Sequence, residues 1–415
     1  MRLWRSPTLR IAVIYGLSGV GFAGANLILA GVLPTQEYAL FTLAIALGNL
    51  GYSLAPAGID GVVNRRRLAA GTGLLGRLLP VCLLVGLGMA LFGMVAYDMS
   101  PALGAMILVS SAAGGAMTVA GAKFQSERRF ARSLLLTQSP NVVLLVAALA
   151  AMAGRVTEAW PAVLVSSLGF VLAAVYGWRV LVGEQPAKPD DIDELSWHEA
   201  LSFAGLNASG LLLIQMERLI IPHVLTLRDL ALYGVLGAIA GSLFRVLQMG
   251  VGYTLLPRLR AAETVTERRR LIAHEGKLVG GIVLLGSVLI WFLTPRAEHW
   301  FLAGKYHLTG SLVLAAIVSG VAKIANAFTK SAASALADSR ELALVNASGW
   351  ATVVIALIAA FAGARWGLAG VLYGVAVGWT LRAIAALALV MRHLRLPAPI
   401  PGSLAPEPSR SLRDG

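Results

Sequence analysis

Residues 311–336 read SLVLAAIVSGVAKIANAFTKSAASAL, an apolar run long enough for a spanning helix, with Lys323 near its centre and Lys330 two turns further on. Residues 230–256 read LALYGVLGAIAGSLFRVLQMGVGYTLL, a second such run with Arg245 near its middle. Runs of roughly 20 mostly apolar residues cross a bilayer as helices. A cation on a lipid-facing helix centre costs about 2.5–3.5 kcal/mol on insertion scales and more in simulation. Such residues persist where they face protein, water or an anion. The two stretches therefore predict a membrane protein with a cationic interior.

Composition agrees. Of 415 residues, 57% are hydrophobic and only 13% charged, against about 25% charged in a soluble protein. Long apolar runs exclude an outer-membrane barrel, whose strands alternate over about 10 residues. The net charge of +13 would suggest nucleic acid in a soluble chain. Here short loops carry most of it, so topology explains it and no nucleic-acid partner is expected. The one cysteine, Cys82, lies inside an apolar segment and offers neither a disulfide framework nor a zinc site. The basic start MRLWRSPTLR runs into a long apolar segment without a small-residue cleavage site, which reads as an uncleaved first span.

Twelve spans are expected, at about 10–33, 38–60, 78–97, 102–122, 134–153, 160–182, 199–221, 231–256, 276–294, 308–335, 343–362 and 366–391. Of the 34 basic residues, 24 fall in one set of loops and at the termini. Only Arg155, Arg228, Arg296, Lys305 and Arg365 fall in the opposite set. By the positive-inside rule both termini are cytoplasmic. The longest loop, GEQPAKPDDIDELSWHE, divides the chain near its middle. The expected organisation is a six-helix lobe over 1–183, a linker over 184–198, a second six-helix lobe over 199–395 and a disordered tail over 396–415. VLPTQEYALFTLAIA (32–46) aligns without a gap to VLTLRDLALYGVLGA (224–238), each joining the first and second spans of a half. Two halves that start on the same side give parallel lobes related by an axis along the membrane normal.

Helical spacing groups the polar residues into stripes. Span ten carries Lys323, Asn326, Lys330 and Ser334; span seven carries Asn207, Gln215 and Arg218, with Glu217 beside the last. Span one offers Ser18 and Asn26, span two Asn49, Ser53 and Asp60, and span eight Arg245 with Gln248. Arg245 and Lys323 lie about 20 Å from the nearer helix end at 1.5 Å per residue, so snorkelling is hardest for them. Arg218 reads equally as a cavity cation, a partner of adjacent Glu217 or a snorkelling group. Lys330 divides evenly between cavity and snorkelling, and Arg382 leans towards the membrane interface.

Catalytic patterns are missing. There is no G-x-x-x-x-G-K-[ST], no His/Cys cluster at metal spacing and no outside loop large enough for a soluble catalytic domain. Transport is favoured over catalysis, and no cofactor is expected. Glu217 and Asp60 are the candidates for coupling to H+ or Na+. A permanent ion pair at Glu217 is at least as good a reading.

Three stretches carry a resemblance: VLPTQEYALF (32–41), QMERLIIPHVLTLRDLALYGVLGAIAG (215–241) and WGLAGVLYGVAVGWTLR (366–382). In these the chain resembles the polysaccharide-exporter branch of the multidrug/oligosaccharidyl-lipid/polysaccharide (MOP) superfamily. It departs from that pattern at Glu217, where the family often carries Asp, and at Leu230–Leu232, where a Gly before the Tyr is common. The resemblance implies a MATE-like fold of two six-helix lobes around a central cavity. It also implies a flippase for polyprenyl-pyrophosphate-linked oligosaccharide in O-antigen or exopolysaccharide synthesis, at a bacterial inner membrane. Arg245 and Lys323, supported by Arg218 and Lys330, would meet the pyrophosphate, because Arg suits bidentate phosphate contact and Lys acts as a point charge. Asn26, Asn49, Asn207, Gln215, Gln248 and Asn326 would line the cavity. Membrane lipids and glycan polymerase or assembly proteins are the expected partners. The alternatives are an ion-coupled multidrug exporter of the same superfamily, a lipid II flippase (a branch that usually has two further spans) and a non-catalytic component of a glycan-assembly complex.

Overall fold

The computed structural model describes residues 7–184, 195–241, 264–302, 304–337 and 339–395, with 244, 255, 258, 259 and 262 singly. Among them the chain is helical without a strand: α1 (Pro7–Val32), α2 (Thr35–Leu54), α3 (Ile59–Arg66), α4 (Thr72–Tyr97), α5 (Pro101–Ser126), α6 (Phe130–Gly154), α7 (Trp160–Glu184), α8 (Trp197–Val224) and α9 (Leu227–Leu236). A π-helical turn, Gly237–Gly241, continues α9. Then come α10 (Val265–Leu302), α11 (Gly310–Leu336), α12 (Ser339–Gly363) and α13 (Gly367–Arg395).

Seven helical stretches are long and apolar enough to cross a membrane, or eight when the bent pair α2–α3 counts as one span. One of the seven, Ala343–Arg395, holds α12 and α13 in series. α4 and α10 turn large apolar side chains outward, among them Leu84, Leu87, Val95, Leu284, Leu285 and Phe292. Patches of that kind on a helical bundle are lipid-facing surface. The protein is a multi-pass membrane protein. A helix lies on each of the twelve expected spans, although the eighth is described only as far as α9 and its π turn, plus isolated residues beyond. The expected linker centre (185–194) and tail (396–415) lie outside the described residues.

Local chemistry sets several boundaries. α1 ends at Val32 and α2 starts at Thr35; α8 ends at Val224 and α9 starts at Leu227. The two tight joints fall at equivalent positions of the sequence repeat. At the second, Thr226 and Asp229 form a capping box: the Asp229 N–H donates to Thr226 Oγ1 at 3.2 Å and the Thr226 N–H to Asp229 Oδ2 at 3.1 Å. The expected second span is not one straight helix. Pro56 leaves α2 without a backbone donor, Gly58 turns left-handed at φ +82°, and α3 departs at 46°. A Cβ on Gly58 would stand 1.8 Å from the Ala200 carbonyl oxygen of α8, so this turn also needs glycine for close packing.

In the first half α5 is central, packing on α2, α3, α4, α6 and α7, while α1 lies on α6. In the second half α13 packs on α11, α12 and α8. Gly374 and Gly378 of α13 meet Ala359 and Ala356 of α12, where an added Cβ would come within 2.5 Å; small residues let these helices touch. The halves meet through α2 against α8 and α9, and through α3 against α8.

Both ends of that junction are tied. At the end carrying the basic loops, Arg65 and Arg66 of α3 pair with Glu199 of α8 at 3.3 and 2.5 Å. At the opposite end the Tyr97 hydroxyl donates to the Leu219 carbonyl at 2.9 Å. There Lys305 Nζ donates to the Ala30 carbonyl at 2.9 Å and also to that of Leu33, capping the last turn of α1. Burial pushes the Lys305 ammonium below its ordinary range.

Candidate functional site: a cavity between the halves

Between these ties lies a cavity of about 440 Å³. α2 supplies Asn49, Tyr52 and Ser53; α8 supplies Gln215, Glu217 and Arg218; α11 supplies Ser319 and Lys323; Tyr233 and the π turn, with Trp379 of α13, complete the wall. The π turn widens the helix where it faces the space, a local geometry common at functional sites.

Among the described residues, the cations and carboxylates of this wall come from α8 and α11. Glu217 is fully buried. Its Oε1 accepts from Lys323 Nζ at 2.7 Å and from Ser319 Oγ at 3.4 Å; its Oε2 has no hydrogen-bond donor among the described residues. The expected pairing of Glu217 with its neighbour Arg218 does not occur. Adjacent residues on a helix point about 100° apart, so Glu217 reaches across to α11 while Arg218 takes a different partner. Arg218 Nη1 donates to Gln215 Oε1 at 2.9 Å, one turn earlier on its own helix, and the guanidinium lies 5.8 Å from the centre of the Tyr233 ring. Arg218 is 8% exposed and has no carboxylate partner among the described residues. It does not snorkel.

Among the described residues the cavity wall therefore holds a neutralised pair and one guanidinium without a carboxylate, together with neutral Asn49, Tyr52 and Ser53 of α2. Such a wall favours an anion over a cation. Gln215 and Tyr233 fix the plane of the Arg218 fork in advance.

Other expected site residues are placed elsewhere. Asn26 is buried and donates to the Phe22 carbonyl of its own helix at 2.8 Å, so its amide is spent locally. Asn207 is exposed. Asp60 rides on α3, which the Pro56–Gly58 break carries off the face shared by Asn49 and Ser53. Asn326 is buried beside the cavity, not on its wall, with Oδ1 unpaired. Lys330 lies on the Lys323 stripe but beyond the wall. Arg245 and Gln248 lie outside the described residues. Arg382, expected at the interface, is 3% exposed and held inside the second half. Tyr233, Ser319 and Trp379 were not singled out in the sequence; Ser319 carried a signal in standing one turn before Lys323.

Comparison with known proteins places this architecture. No family model matches the sequence, and no curated protein matches it. Solved structures do. A multidrug resistance MATE family transporter of the MOP superfamily, in an inward-facing conformation, superposes with a TM-score of 0.61 at 13% identity over 92% of this chain and 94% of its own. The lipid II flippase MurJ, in an inward closed conformation, gives 0.66 at 10% identity over 94% and 88%. The Vibrio cholerae MATE transporter VcmN in its bent form gives 0.52 at 17% identity over 92% and 95%. The chain has the fold of the MOP-superfamily transporters.

Proposed function

We propose that the protein is a flippase that moves a polyprenyl-pyrophosphate-linked oligosaccharide from the cytoplasmic to the periplasmic leaflet of a bacterial inner membrane, for cell-surface or extracellular polysaccharide. The observation that carries this reading is Arg218: a buried guanidinium, without a carboxylate partner among the described residues, on the wall of a cavity between two helical halves. A diphosphate supplies the missing counter-charge. Asn49, Tyr52 and Ser53 offer hydroxyls and an amide to the first sugar. The polyprenyl chain stays in lipid at the junction of the halves.

In this reading residues 1–183 and 199–395 are the two lobes, 184–198 links them, and the basic loops, both termini and the 396–415 tail lie on the cytoplasmic side. Glycan polymerase or assembly proteins would act on the product. The protein is a transporter and not an enzyme. The competing multidrug reading draws on the MATE likeness and on the unpaired Oε2 of Glu217, which would attract a cationic drug or an H+ or Na+ coupling ion. Against it, the one carboxylate on the wall is already neutralised by Lys323.

The test is reconstitution. Proteoliposomes carrying a fluorescent polyprenyl-diphosphate oligosaccharide are probed with a membrane-impermeant lectin. Wild type should move label between leaflets, and Arg218→Ala should slow it at least tenfold at equal protein content. Absence of glycolipid movement together with gradient-driven ethidium transport would replace this reading with the multidrug one.

A further inference from the structure

A second cationic cluster lies inside the second half, apart from the cavity wall. Arg382 of α13 is 3% exposed, yet its guanidinium makes no hydrogen bond or ion pair among the described residues, and Nη1 is sealed from solvent without an acceptor. It packs against two glycines of neighbouring helices. A Cβ on Gly349 of α12 would stand 3.2 Å from Arg382 Cζ, and one on Gly210 of α8 would stand 3.6 Å from Nη2. Two glycines therefore open a slot for this side chain. Ser209 Oγ lies on the same wall, buried and unpaired, within 3.0 Å of that Gly349 position. Lys330 of α11 is in electrostatic range of Arg382. It is exposed.

Among the described residues, the carboxylates nearest along these helices are engaged elsewhere. Glu199 holds Arg65 and Arg66, Glu217 holds Lys323, and Glu341 holds Arg392 and His393. A buried charge without a counter-charge is among the most costly features a protein can keep. The positions also follow the cavity. Lys330 is seven residues beyond Lys323, about 10 Å at 1.5 Å per residue. Arg382 is one turn beyond Trp379 of the cavity wall.

We propose that Arg382, with Lys330 at the mouth and Ser209 Oγ alongside, forms a second binding site for a phosphate-class oxyanion, about 10 Å from the Lys323 level towards the basic-loop end. Arg382 provides the bidentate fork and Lys330 the point charge. The anion is either free phosphate or the phosphate of a lipid-borne diphosphate. In the second case the site is a staging point for the cargo proposed above, and that assignment alone rests on the flippase reading.

Thermal unfolding of the full-length protein in uncharged detergent tests this, with chloride at matched ionic strength as control. The background is Arg218→Ala, which removes the cavity's own anion site. Inorganic phosphate should raise the melting temperature of Arg218→Ala by about 2 °C or more. Adding Arg382→Met should abolish the rise and also raise the phosphate-free melting temperature, because it deletes an uncompensated charge; a merely structural arginine would do the reverse. Adding Lys330→Gln should weaken the rise, and this arm stands even if the Arg382 variant does not fold. Farnesyl diphosphate acting where inorganic phosphate does not identifies the lipid-borne source; phosphate acting alone identifies the free ion. Equal shifts with and without Arg382, or no shift with either probe, overturn the proposal and leave the cavity reading untouched.

Discussion

The Glu217 carboxylate of α8 and the Lys323 ammonium of α11 meet at 2.7 Å, so the charge that marks the centre of α11 is neutralised by a different helix of the same half. This pair pins two cavity-lining helices together. It leaves Arg218, one residue from Glu217, as the wall's uncompensated cation.

Lys323→Met should therefore destabilise the protein by more than the contact is worth. It strands a fully buried carboxylate, and breaking a buried pair costs about 3–5 kcal/mol. Glu217→Gln combined with Lys323→Met should cost clearly less than the two single changes added together. Melting curves of the four proteins decide; strict additivity would mean that the two groups do not interact.

The charged groups of the described wall come from α8 and α11, and Asn49, Tyr52 and Ser53 from α2, so the two sets should separate in function. Asn49→Leu with Ser53→Ala should alter the preference among glycans in the lectin assay while leaving the affinity for a sugar-free polyprenyl diphosphate within about twofold. Arg218→Lys should do the converse, weakening the diphosphate by tenfold or more because the Gln215 and Tyr233 contacts need the guanidinium plane. Equal effects of both changes on both ligands would contradict the division.

The Arg65/Arg66–Glu199 ties cross from α3 to α8 at the basic-loop end. Exposed ion pairs contribute about 0.2–1 kcal/mol each, so losing both changes the opening equilibrium by about two- to thirtyfold. Glu199→Gln should accelerate labelling of a Ser53→Cys variant by a membrane-impermeant maleimide by that factor when reagent is supplied from the basic-loop side. The background is Cys82→Ala. An unchanged rate would show that the ties do not hold that end shut.

Lys305 gives a pH-dependent readout at the opposite end. Burial depresses its pKa, so the folded state binds this proton more weakly than the unfolded chain does. The desolvation cost is fully present at neutral pH and is relieved as pH rises through the lowered folded value towards the ordinary 10.5. As pH rises towards 10.5 the wild-type melting temperature should rise relative to that of Lys305→Met. Parallel curves would mean that the ammonium is not desolvated.

Much of this protein was legible in the chain. Apolar run lengths located helices on all twelve expected spans, because a backbone in lipid must satisfy its own hydrogen bonds and has few ways to do so. The repeat 32–46 against 224–238 marked two tight joints at equivalent positions. Arg245 and Lys323 stood out as cations that lipid would not tolerate; Lys323 lines the cavity, and Arg245 lies outside the described residues. Partnership between helices was not legible. Periodicity reports which residues share a face of one helix; it does not report which face of another helix they meet. Hence Glu217 paired with Lys323 rather than Arg218, Asn26 satisfied its own helix, the Pro56–Gly58 break removed Asp60 from its stripe, and Arg382 was buried in a glycine slot instead of lying at the interface. Composition and spacing determined that the chain crosses a membrane and keeps positive charge inside. Packing between helices decided which of those charges are cancelled by a carboxylate among the described residues and which are not, because a partner on another helix is set by tertiary contact and not by spacing along one chain segment.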